Sequence, residues 1–580
     1  MSAKQHDEPD YLETLDRSIQ IAIGKFTQGI SPGALMLAFF DWYLHLLIHP
    51  AKHLELIQLI EKNITLLLNE WTCFLMHDPS IGHCVEKSPQ DKRFADNDWQ
   101  AFPFFLMYES FLQMQNWWNV AATNVRGVSK HHEQVVDFTI RQWLDMVSPS
   151  NSPFTNPEII KATEQQHGEN FIRGFENFLE DFKRIQENKP PVGSENFVIG
   201  ENMAITPGKV VYRNQLIELI QYAPMTDEVY AEPILITPAW IMKYYILDLT
   251  PKHSLVKYLV KKGHTVFIIS WKNPTKKYRH VGMDDYLKEG LLTALNTVCD
   301  ITHQKKAHLV GYCLGGTLSA IATAYLAREA DHRLASMTLL AAQTDFTEPG
   351  ELGLFIDESQ IAFLESLMQE KGYLDTHQMA GAFQMLRSND LVWSRVIHDY
   401  LLGKRKPLVD LMAWNADATR LPYKMHSEYL RNLFLNNQLA EGEYCIDGRP
   451  IALTDIQIPV FVVATERDHV SPWRSVFKIN LLTNSDVTFT LTSGGHNVGI
   501  VSMPVKKTKR YYRLATLKES DKYIDPDAWY ANAKPNNGSW WPAFEHWLAK
   551  HSGTKIAPPT LGNAAHPAIM DAPGSYVFEK

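Results

Sequence analysis

Cysteine is scarce in this sequence, which rules out a fold built on disulfides. The 580 residues include only Cys73, Cys84, Cys299, Cys313 and Cys445. Their number is odd and their spacing is wide, so neither a disulfide framework nor a CxxC zinc site can be drawn. A chain of this kind is typical of a reducing compartment.

Long apolar runs are also lacking. A membrane-spanning helix needs about 20 apolar residues, and the nearest candidate, residues 33–48, is interrupted by Asp41 and His45. The polar, acidic start MSAKQHDEPDYLETLDRS has no basic segment followed by an apolar core, as a secretion signal would have. The sequence therefore predicts a cytoplasmic protein without a transmembrane segment.

A basic excess is missing as well. Lys and Arg number 56 and Asp and Glu 65, a formal net charge of −9, which is unlike a protein that wraps nucleic acid. The sequence contains neither the G-x-x-x-x-G-K-[ST] nucleotide loop nor the H-E-x-x-H zinc helix. We therefore expect no nucleic-acid partner, no metal and no resident nucleotide cofactor.

The residues that are present divide the chain into a helical part and an α/β part. Residues 1–190 carry apolar residues at helical spacing, as in ALMLAFFDWYLHLLIH and HLELIQLIEKNITLLLNEW. Their apolar faces are expected to form a domain core or, alternatively, a surface for a partner subunit or a hydrophobic particle. The Pro- and Gly-rich stretch 187–211 then marks a domain boundary.

Beyond residue 205, short apolar strands alternate with helical segments. This alternation is typical of a mostly parallel sheet covered by helices, which we expect to occupy residues 205–550. Residues 345–443 interrupt it and are too many for an unstructured connection, so we interpret them as a cap inserted over the active face. Residues 551–580 are predicted to form an extended tail. The predicted strands are Pro233–Thr237, His264–Ser270, Ala307–Val310, Met337–Ala341, Pro459–Ala464 and Val487–Leu491.

The clearest chemical signal is the segment Gly-Tyr-Cys-Leu-Gly-Gly at residues 311–316. A predicted strand leads into it and a helical pattern follows, which is the context of the nucleophile elbow G-x-S-x-G, here with Cys313 as the nucleophile. The flanking glycines would let the strand and the helix approach closely, and a helix N-terminus would favour the thiolate. Alternatively, the segment is a glycine turn around a buried, inert cysteine.

An acid and a histidine follow in the chain order of this kind of fold. Asp468 comes directly after one predicted strand, and His496 follows the next strand in a Gly-rich loop. Because the carboxyl ends of parallel strands share one edge of a sheet, we expect His496 to be the base for Cys313 and Asp468 to be its partner. Taken singly, Asp468 could instead cap a turn, and His496 could be an ordinary loop histidine.

Several neighbours complete the predicted site. The backbone N–H of Leu314 directly follows the nucleophile and is a candidate oxyanion donor. The segment after the first predicted strand supplies the second donor, from either Trp240 or Ile241. His469, beside Asp468, either forms a hydrogen bond that supports the catalytic residues or is simply a packed side chain.

These segments, with others, resemble the polyhydroxyalkanoate synthases, in particular the long single-subunit (class I) type that makes poly(3-hydroxybutyrate)-like polyesters. The resemblance runs from residue 92 to residue 544 in the order of the family. Its most specific segments are KYYILDL (243–249), SNDLVW (388–393), WNADAT (414–419) and GSWWP (538–542).

The resemblance implies an α/β-hydrolase fold with a cap insertion, preceded by a mainly helical N-terminal domain. It implies an acyltransferase that polymerises 3-hydroxyacyl-CoA, with 3-hydroxybutyryl-CoA the expected monomer and CoA a part of the substrate rather than a cofactor. Cys313 would form an acyl thioester with His496 as base, while Asp468 would either orient His496 or activate the substrate hydroxyl.

The resemblance further implies a homodimer, a growing polyester chain as partner, and association with polyester granules. Two alternatives stay open on the sequence. One is a cysteine thioesterase or esterase of the same fold, and the other is a non-catalytic protein that coats granules.

Overall fold

The computed structural model describes residues 11–27, 29–76, 91, 93–376, 388–505 and 508–580. The contacts within the chain separate two compact units. The sheet unit comprises residues 192–378 and 408–580 together with residues up to 23, and the helical unit comprises residues 24–191 and 379–407. The described residues 388–407, which belong to the predicted cap insertion, therefore group with the helical unit.

Helix starts in the helical unit follow from local sequence. Ser31 and Asn156 each precede a proline that begins a helix, and their side chains accept hydrogen bonds from the first helical N–H groups. Tyr11–Thr27 is the first helix of the chain, and its residues are divided between the two units. The further helices of the helical unit are Pro32–Leu47, Pro50–Met76, Phe104–Ala122, Lys130–Met146, Pro157–Gln165, Glu169–Gln186, Asn389–Trp393 and Val396–Leu401.

A buried aromatic cluster and a buried acid hold the helical unit together. The cluster contains Phe94, Trp99, Tyr108 and Phe111. Asp145 accepts hydrogen bonds from Arg93 at 3.1 Å and Asn389 at 3.0 Å. The segments around residues 93 and 389, which are distant in sequence, thus both donate hydrogen bonds to the carboxylate of Asp145.

In chain order, the strands of the sheet unit are β1 Gly208–Arg213, β2 Ile217–Tyr222, β3 Val229–Tyr230, β4 Ile234–Thr237, β5 Val266–Trp271, β6 Ala307–Tyr312, β7 Leu334–Leu340, β8 Tyr373–Leu374, β9 Leu421–Pro422, β10 Cys445–Ile446, β11 Arg449–Pro450, β12 Val460–Thr465, β13 Val487–Thr492, β14 Tyr511–Leu517, β15 Pro535–Asn537, β16 Lys555–Ile556 and β17 Met570–Asp571. Six of these strands, β4, β5, β6, β7, β12 and β13, lie close to the predicted positions, and the others were not predicted.

The main sheet has the order β15-β14-β13-β12-β7-β6-β4-β5-β2-β1-β17. The six strands from β13 to β5 in this order are mutually parallel and are the six predicted from the sequence, while the flanking strands are antiparallel. Every residue of β5, β6, β12 and β13 is buried, as expected when helices cover both faces of a parallel sheet. The predicted mostly parallel sheet is confirmed.

The helices of the sheet unit lie between these strands and after them. They are Leu255–Lys261, Met283–Asp285, Tyr286–Leu292, Thr293–Thr302, Leu314–Arg328, Glu358–Lys371, Asp410–Asn415, Tyr423–Glu428, Tyr429–Leu435, Gln438–Glu441, Trp473–Phe477, Ile479–Leu482, His496–Ile500, Pro526–Asn532 and Trp541–Lys550. Among the described residues of the whole chain, no single helix has the length and apolar character to cross a membrane. The helices Pro32–Leu47 and Pro50–Thr72 have this length and apolar character only when they are taken together, and the pair is bent by 88°.

The predicted tail, residues 551–580, packs along the sheet unit. Strand β16 pairs with β3, and β17 pairs with β1 at the edge of the main sheet. The fully buried carboxylate of Glu218 accepts the backbone N–H groups of Ser575 at 2.8 Å and Tyr576 at 2.9 Å. These bonds fix the tail on the sheet edge.

Candidate active site

Cys313 lies in the tight bend between strand β6 and helix Leu314–Arg328. Its backbone has φ 51° and ψ −125°, a conformation that residues other than glycine adopt mainly in strained functional turns. A Cβ added to Gly311 would come within 2.4 Å of the helix backbone, and one added to Gly315 within 2.1 Å of the Thr237 carbonyl oxygen. Glycine is therefore needed on both sides of Cys313, as a nucleophile elbow requires.

The bend presents one candidate oxyanion donor directly. Leu314 is the first residue of its helix, so its N–H has no acceptor within that helix. The close approach of Gly315 to Thr237 also brings the end of β4 to the same bend.

The loop after β4 carries the other two candidates, Trp240 and Ile241. Their carbonyl groups accept hydrogen bonds from Thr419, from its hydroxyl in the first case and from its N–H at 2.9 Å in the second. The WNADAT segment thus holds this loop in place. Which of the two N–H groups serves an oxyanion stays a prediction.

Asp468 follows strand β12, is 8% exposed and has four hydrogen-bonding neighbours. Its Oδ1 accepts the N–H groups of Val470 at 2.9 Å and Ser471 at 2.8 Å. Its Oδ2 lies 3.1 Å from the hydroxyl of Thr465 and 2.8 Å from Nδ1 of His496. The carboxylate therefore both caps its own turn and orients the histidine.

His496 begins the short helix that follows strand β13. The preceding loop turns at Gly494, whose φ of 113° suits glycine alone. Burial of the imidazole disfavours its charged form, but charge interactions and hydrogen bonds with Asp468 and Cys313 outweigh burial and raise the pKa of His496 well above its usual value. The structure thus joins the three predicted residues in the order Cys313, His496, Asp468.

Two tyrosines that the sequence analysis missed lie at this site. The ring of Tyr312 is 5.7 Å from that of His496, and its hydroxyl donates to Oδ1 of Asn497 at 2.5 Å. Burial raises the pKa of Tyr429, with a smaller contribution from the nearby Cys313. Tyr312 stands next to the nucleophile in sequence but follows no recognised pattern, and Tyr429 is brought in by a distant helix.

The side chain of His469 does not join the three predicted catalytic residues. Its side chain is 43% exposed, and Nδ1 lies 4.0 Å from the carboxylate of Glu351.

Three stretches of the chain match known families. Residues 90–259 match "Poly-beta-hydroxybutyrate polymerase (PhaC) N-terminus", residues 11–52 match "Poly-beta-hydroxybutyrate polymerase N terminal", and residues 232–501 match "alpha/beta hydrolase fold". The poly(3-hydroxyalkanoate) polymerase of Methylorubrum extorquens is 40% identical over 501 residues, which cover 86% of this chain and 82% of that protein. The chain belongs to the poly(3-hydroxyalkanoate) polymerases.

Other relatives agree with this assignment. The polymerase is 36% identical to the poly(3-hydroxyalkanoate) polymerase subunit PhaC of Cupriavidus necator, over 84% of this chain and 83% of that one. It is 35% identical to poly(3-hydroxyalkanoate) polymerase 2 of Ectopseudomonas oleovorans, over 86% and 88% of the two chains. The predicted family and the α/β-hydrolase fold with a helical N-terminal region are confirmed, and the chain is an acyl-transferring enzyme.

Proposed function

We propose that this polymerase joins 3-hydroxyacyl-CoA units, with 3-hydroxybutyryl-CoA the expected monomer, through a thioester on Cys313. The observation that carries the proposal is the hydrogen bond between His496 and Asp468 at 2.8 Å, on the sheet edge where the bend after β6 presents Cys313. A raised pKa of His496 supports an imidazolium in the resting enzyme. We propose that its proton comes from the thiol of Cys313, as in other activated cysteine nucleophiles.

In the first half-reaction, the Cys313 thiolate attacks the thioester carbonyl of the substrate. The developing oxyanion is stabilised by the N–H of Leu314 and by one from the loop after β4. The bond between the carbonyl carbon and the CoA sulfur then breaks. CoA leaves as the thiol, with the proton that His496 had held, and the acyl group remains on Cys313.

In the second half-reaction, the 3-hydroxyl group of another 3-hydroxyacyl-CoA attacks the Cys313 thioester. Neutral His496 accepts the hydroxyl proton, the new ester bond forms and the Cys313 thiolate is released, which restores the ion pair. The lengthened chain is again a CoA thioester and can re-enter the first half-reaction. No metal or cofactor beyond the CoA of the substrate takes part.

Asp468 acts by orienting His496 in this proposal. Its two carboxylate oxygens already have four hydrogen-bonding neighbours, which supports a fixed acceptor rather than a group that turns to a substrate hydroxyl. A carboxylate fixed in this way selects the tautomer of the histidine and stabilises the imidazolium.

Water must be kept from the Cys313 thioester, because hydrolysis would end the chain. The insertion supplies an apolar neighbour for the site in Tyr429, whose ring lies 5.2 Å from Phe434. Phe346 packs on Phe434 at 4.7 Å. These contacts support the interpretation of residues around 346 and 429–434 as a water-excluding wall.

The product is the expected partner of the helical unit. Helix Glu169–Gln186 exposes a row of apolar side chains at helical spacing, and helix Pro32–Leu47 exposes Phe40, Tyr43 and Leu47. We propose that these rows contact the polyester that the enzyme itself makes, on the surface of a granule. The homodimer implied by the family resemblance stays a prediction.

The test is to incubate the purified protein with 3-hydroxybutyryl-CoA and to follow both products. We expect release of CoA together with insoluble polyester, and no release by the Cys313→Ala variant. Release of CoA with only free 3-hydroxybutyrate would indicate a thioesterase instead. Unchanged CoA release by Cys313→Ala would contradict the proposed nucleophile.

A further inference from the structure

The short helix that carries His496 cannot hold its own position. Helix His496–Ile500 has five residues, and a helix so short is not stable by itself in water. The last carbonyl groups of this helix also receive no N–H donor from a following helical turn. The orientation of the imidazole therefore depends on the groups that bind this helix from outside.

Two buried tryptophan side chains bind the end of this helix. The indole N–H of Trp540 donates to the carbonyl of Gly499 at 3.0 Å, and that of Trp541 donates to the carbonyl of Ile500 at 3.0 Å. Both tryptophans are excluded from water, at 0% and 1% exposure. They belong to the GSWWP segment, to which the proposed chemistry assigns no part.

Neighbouring rings fix the direction of both indoles. The ring of Trp540 lies 5.7 Å from Phe544, and that of Trp541 lies 5.6 Å from Tyr258. The two indole planes stand at 81° to each other. Because side chains packed in this way have little freedom to turn, each N–H stays aimed at its carbonyl.

Two further side chains complete these contacts. Nη1 of Arg510 lies 3.0 Å from the carbonyl oxygens of both Val498 and Val501. The hydroxyl of Tyr312 donates to Oδ1 of Asn497 at 2.5 Å. The second bond ties the helix to the strand that ends at the proposed nucleophile.

We propose that Trp540 and Trp541 are positioning residues for His496. Their N–H groups fix helix His496–Ile500 so that the imidazole stays within reach of Cys313. The inference rests on the proposed function, because that function makes His496 the base. Tryptophan suits the task since its ring fills the core while its N–H pairs with a buried carbonyl at the end of the helix. The carbonyl of Ile500 also accepts the backbone N–H of Ser502 at 2.9 Å, so we expect the larger effect from Trp540.

Exchange of each tryptophan for phenylalanine removes the N–H and keeps an aromatic ring. We expect Trp540→Phe and Trp541→Phe each to lower kcat for CoA release about 10- to 100-fold, because displacing a reacting group by about 1 Å has an effect of this size. KM should change by less than about twofold, since uniform substrate binding is not affected.

Trp547→Phe is the matched control on the same helix. Trp547 is 9% exposed, and its ring lies 5.2 Å from that of Phe461 in strand β12. The chemical change is the same, but it lies away from helix His496–Ile500. We expect this variant to keep kcat within about twofold of wild type.

A second readout separates positioning from stability. Iodoacetamide alkylates thiolates, so its rate with Cys313 at pH 6 relative to pH 9, followed in the Cys313 peptide by mass spectrometry, reports the imidazolium that holds the thiolate. In Trp540→Phe and Trp541→Phe we expect the ratio to fall about 10-fold. A purely structural role would lower the melting temperature and leave the ratio of the folded variant unchanged, which would overturn the inference.

The His496→Gln variant distinguishes this inference from the function on which it rests. If His496→Gln leaves the alkylation ratio unchanged, His496 is not the partner of Cys313 and the proposed function fails. If His496→Gln lowers the ratio and both folded tryptophan variants do not, only the positioning role fails. Should one tryptophan variant fail to fold, the other carries the test alone. Should neither fold, the two tryptophans are structural residues and the positioning role fails.

Discussion

The two units of the polymerase differ in whether their apolar side chains are buried or exposed. In the sheet unit, strands β5, β6, β12 and β13 are buried at every residue, and the proposed catalytic groups follow the last three of these strands. In the helical unit, helix Glu169–Gln186 leaves Phe175 and Phe182 exposed at 60% and 51%. The difference predicts that the proposed catalysis and the proposed attachment to polyester can be separated by mutation, because the first would depend on a buried site and the second on an exposed face.

The largest expected effect that distinguishes the two units is the loss of activity when the nucleophile Cys313 is replaced. Cys313→Ser should lower CoA release at least about 10²-fold, because a serine hydroxyl is far harder to ionise than a thiol. Binding to polyester particles, measured by sedimentation with them, should stay unchanged. Cys299→Ser, at a half-buried thiol elsewhere, is the control and should keep full activity. Equal losses in both variants would argue against a special role for Cys313.

The second-largest expected effect comes from replacing Asp468, the carboxylate that binds His496. Asp468→Asn should slow CoA release about 10²-fold or more, because an amide can hold the imidazole in the wrong tautomer. If Asp468 orients His496, both the first burst of CoA and the steady rate should fall in rapid-quench experiments. A normal burst followed by slow elongation would show instead that Asp468 activates the substrate hydroxyl.

A smaller effect is expected from the exposed row of the helical unit. Phe175→Ser combined with Phe182→Ser should weaken binding to polyester particles about 30-fold, since each partly buried ring contributes on the order of 1 kcal/mol. CoA release from dissolved substrate should stay within about twofold. Phe154→Ser, at a residue that is 86% exposed but outside this row, is the matched control. Loss of binding in the control alone would contradict the assigned face.

The smallest effect is a pH dependence of stability in the sheet unit. Burial, with smaller contributions from His264 and His551, lowers the pKa of His308 from 6.5 to about 3. The fold therefore requires neutral His308, and its contribution is complete above pH 6.5 and is lost as the pH falls from 6.5 towards 3. At pH 5 this loss amounts to about 2 kcal/mol.

Urea unfolding at pH 7 and pH 5 measures this dependence. The midpoint of wild type should fall more steeply between the two pH values than that of His308→Gln, which has no group to titrate at this position. His332→Gln makes the same change at an exposed site and should behave as wild type. An equal fall of the urea midpoint between pH 7 and pH 5 in wild type and His308→Gln would contradict the lowered pKa of His308.

Much of the sheet unit could be predicted from the sequence, because its information is local. Six apolar runs gave the six parallel strands, and glycines on both sides of Cys313 indicated the bend that the structure contains. The prediction that His496 lies close to Cys313 rested on the chain order together with the geometry of parallel strands.

Contacts between distant segments could not be predicted in this way. The grouping of residues 388–407 with the helical unit depends on side chains such as Asn389, which reaches Asp145. The pairing of β17 with β1 depends on partners more than three hundred residues apart. In the same way, no periodic pattern indicates that the N–H of Trp540 meets the carbonyl of Gly499.

The most direct test of the central claim is to identify the residue that carries the acyl group. The polymerase is mixed with 3-hydroxybutyryl-CoA, quenched in acid within one turnover and digested for peptide mass spectrometry. The proposed chemistry predicts a 3-hydroxybutyryl or oligoester adduct on Cys313 that is lost in Cys313→Ala. Release of CoA with the acyl group on another residue, or with no adduct on Cys313 at any time, would contradict it.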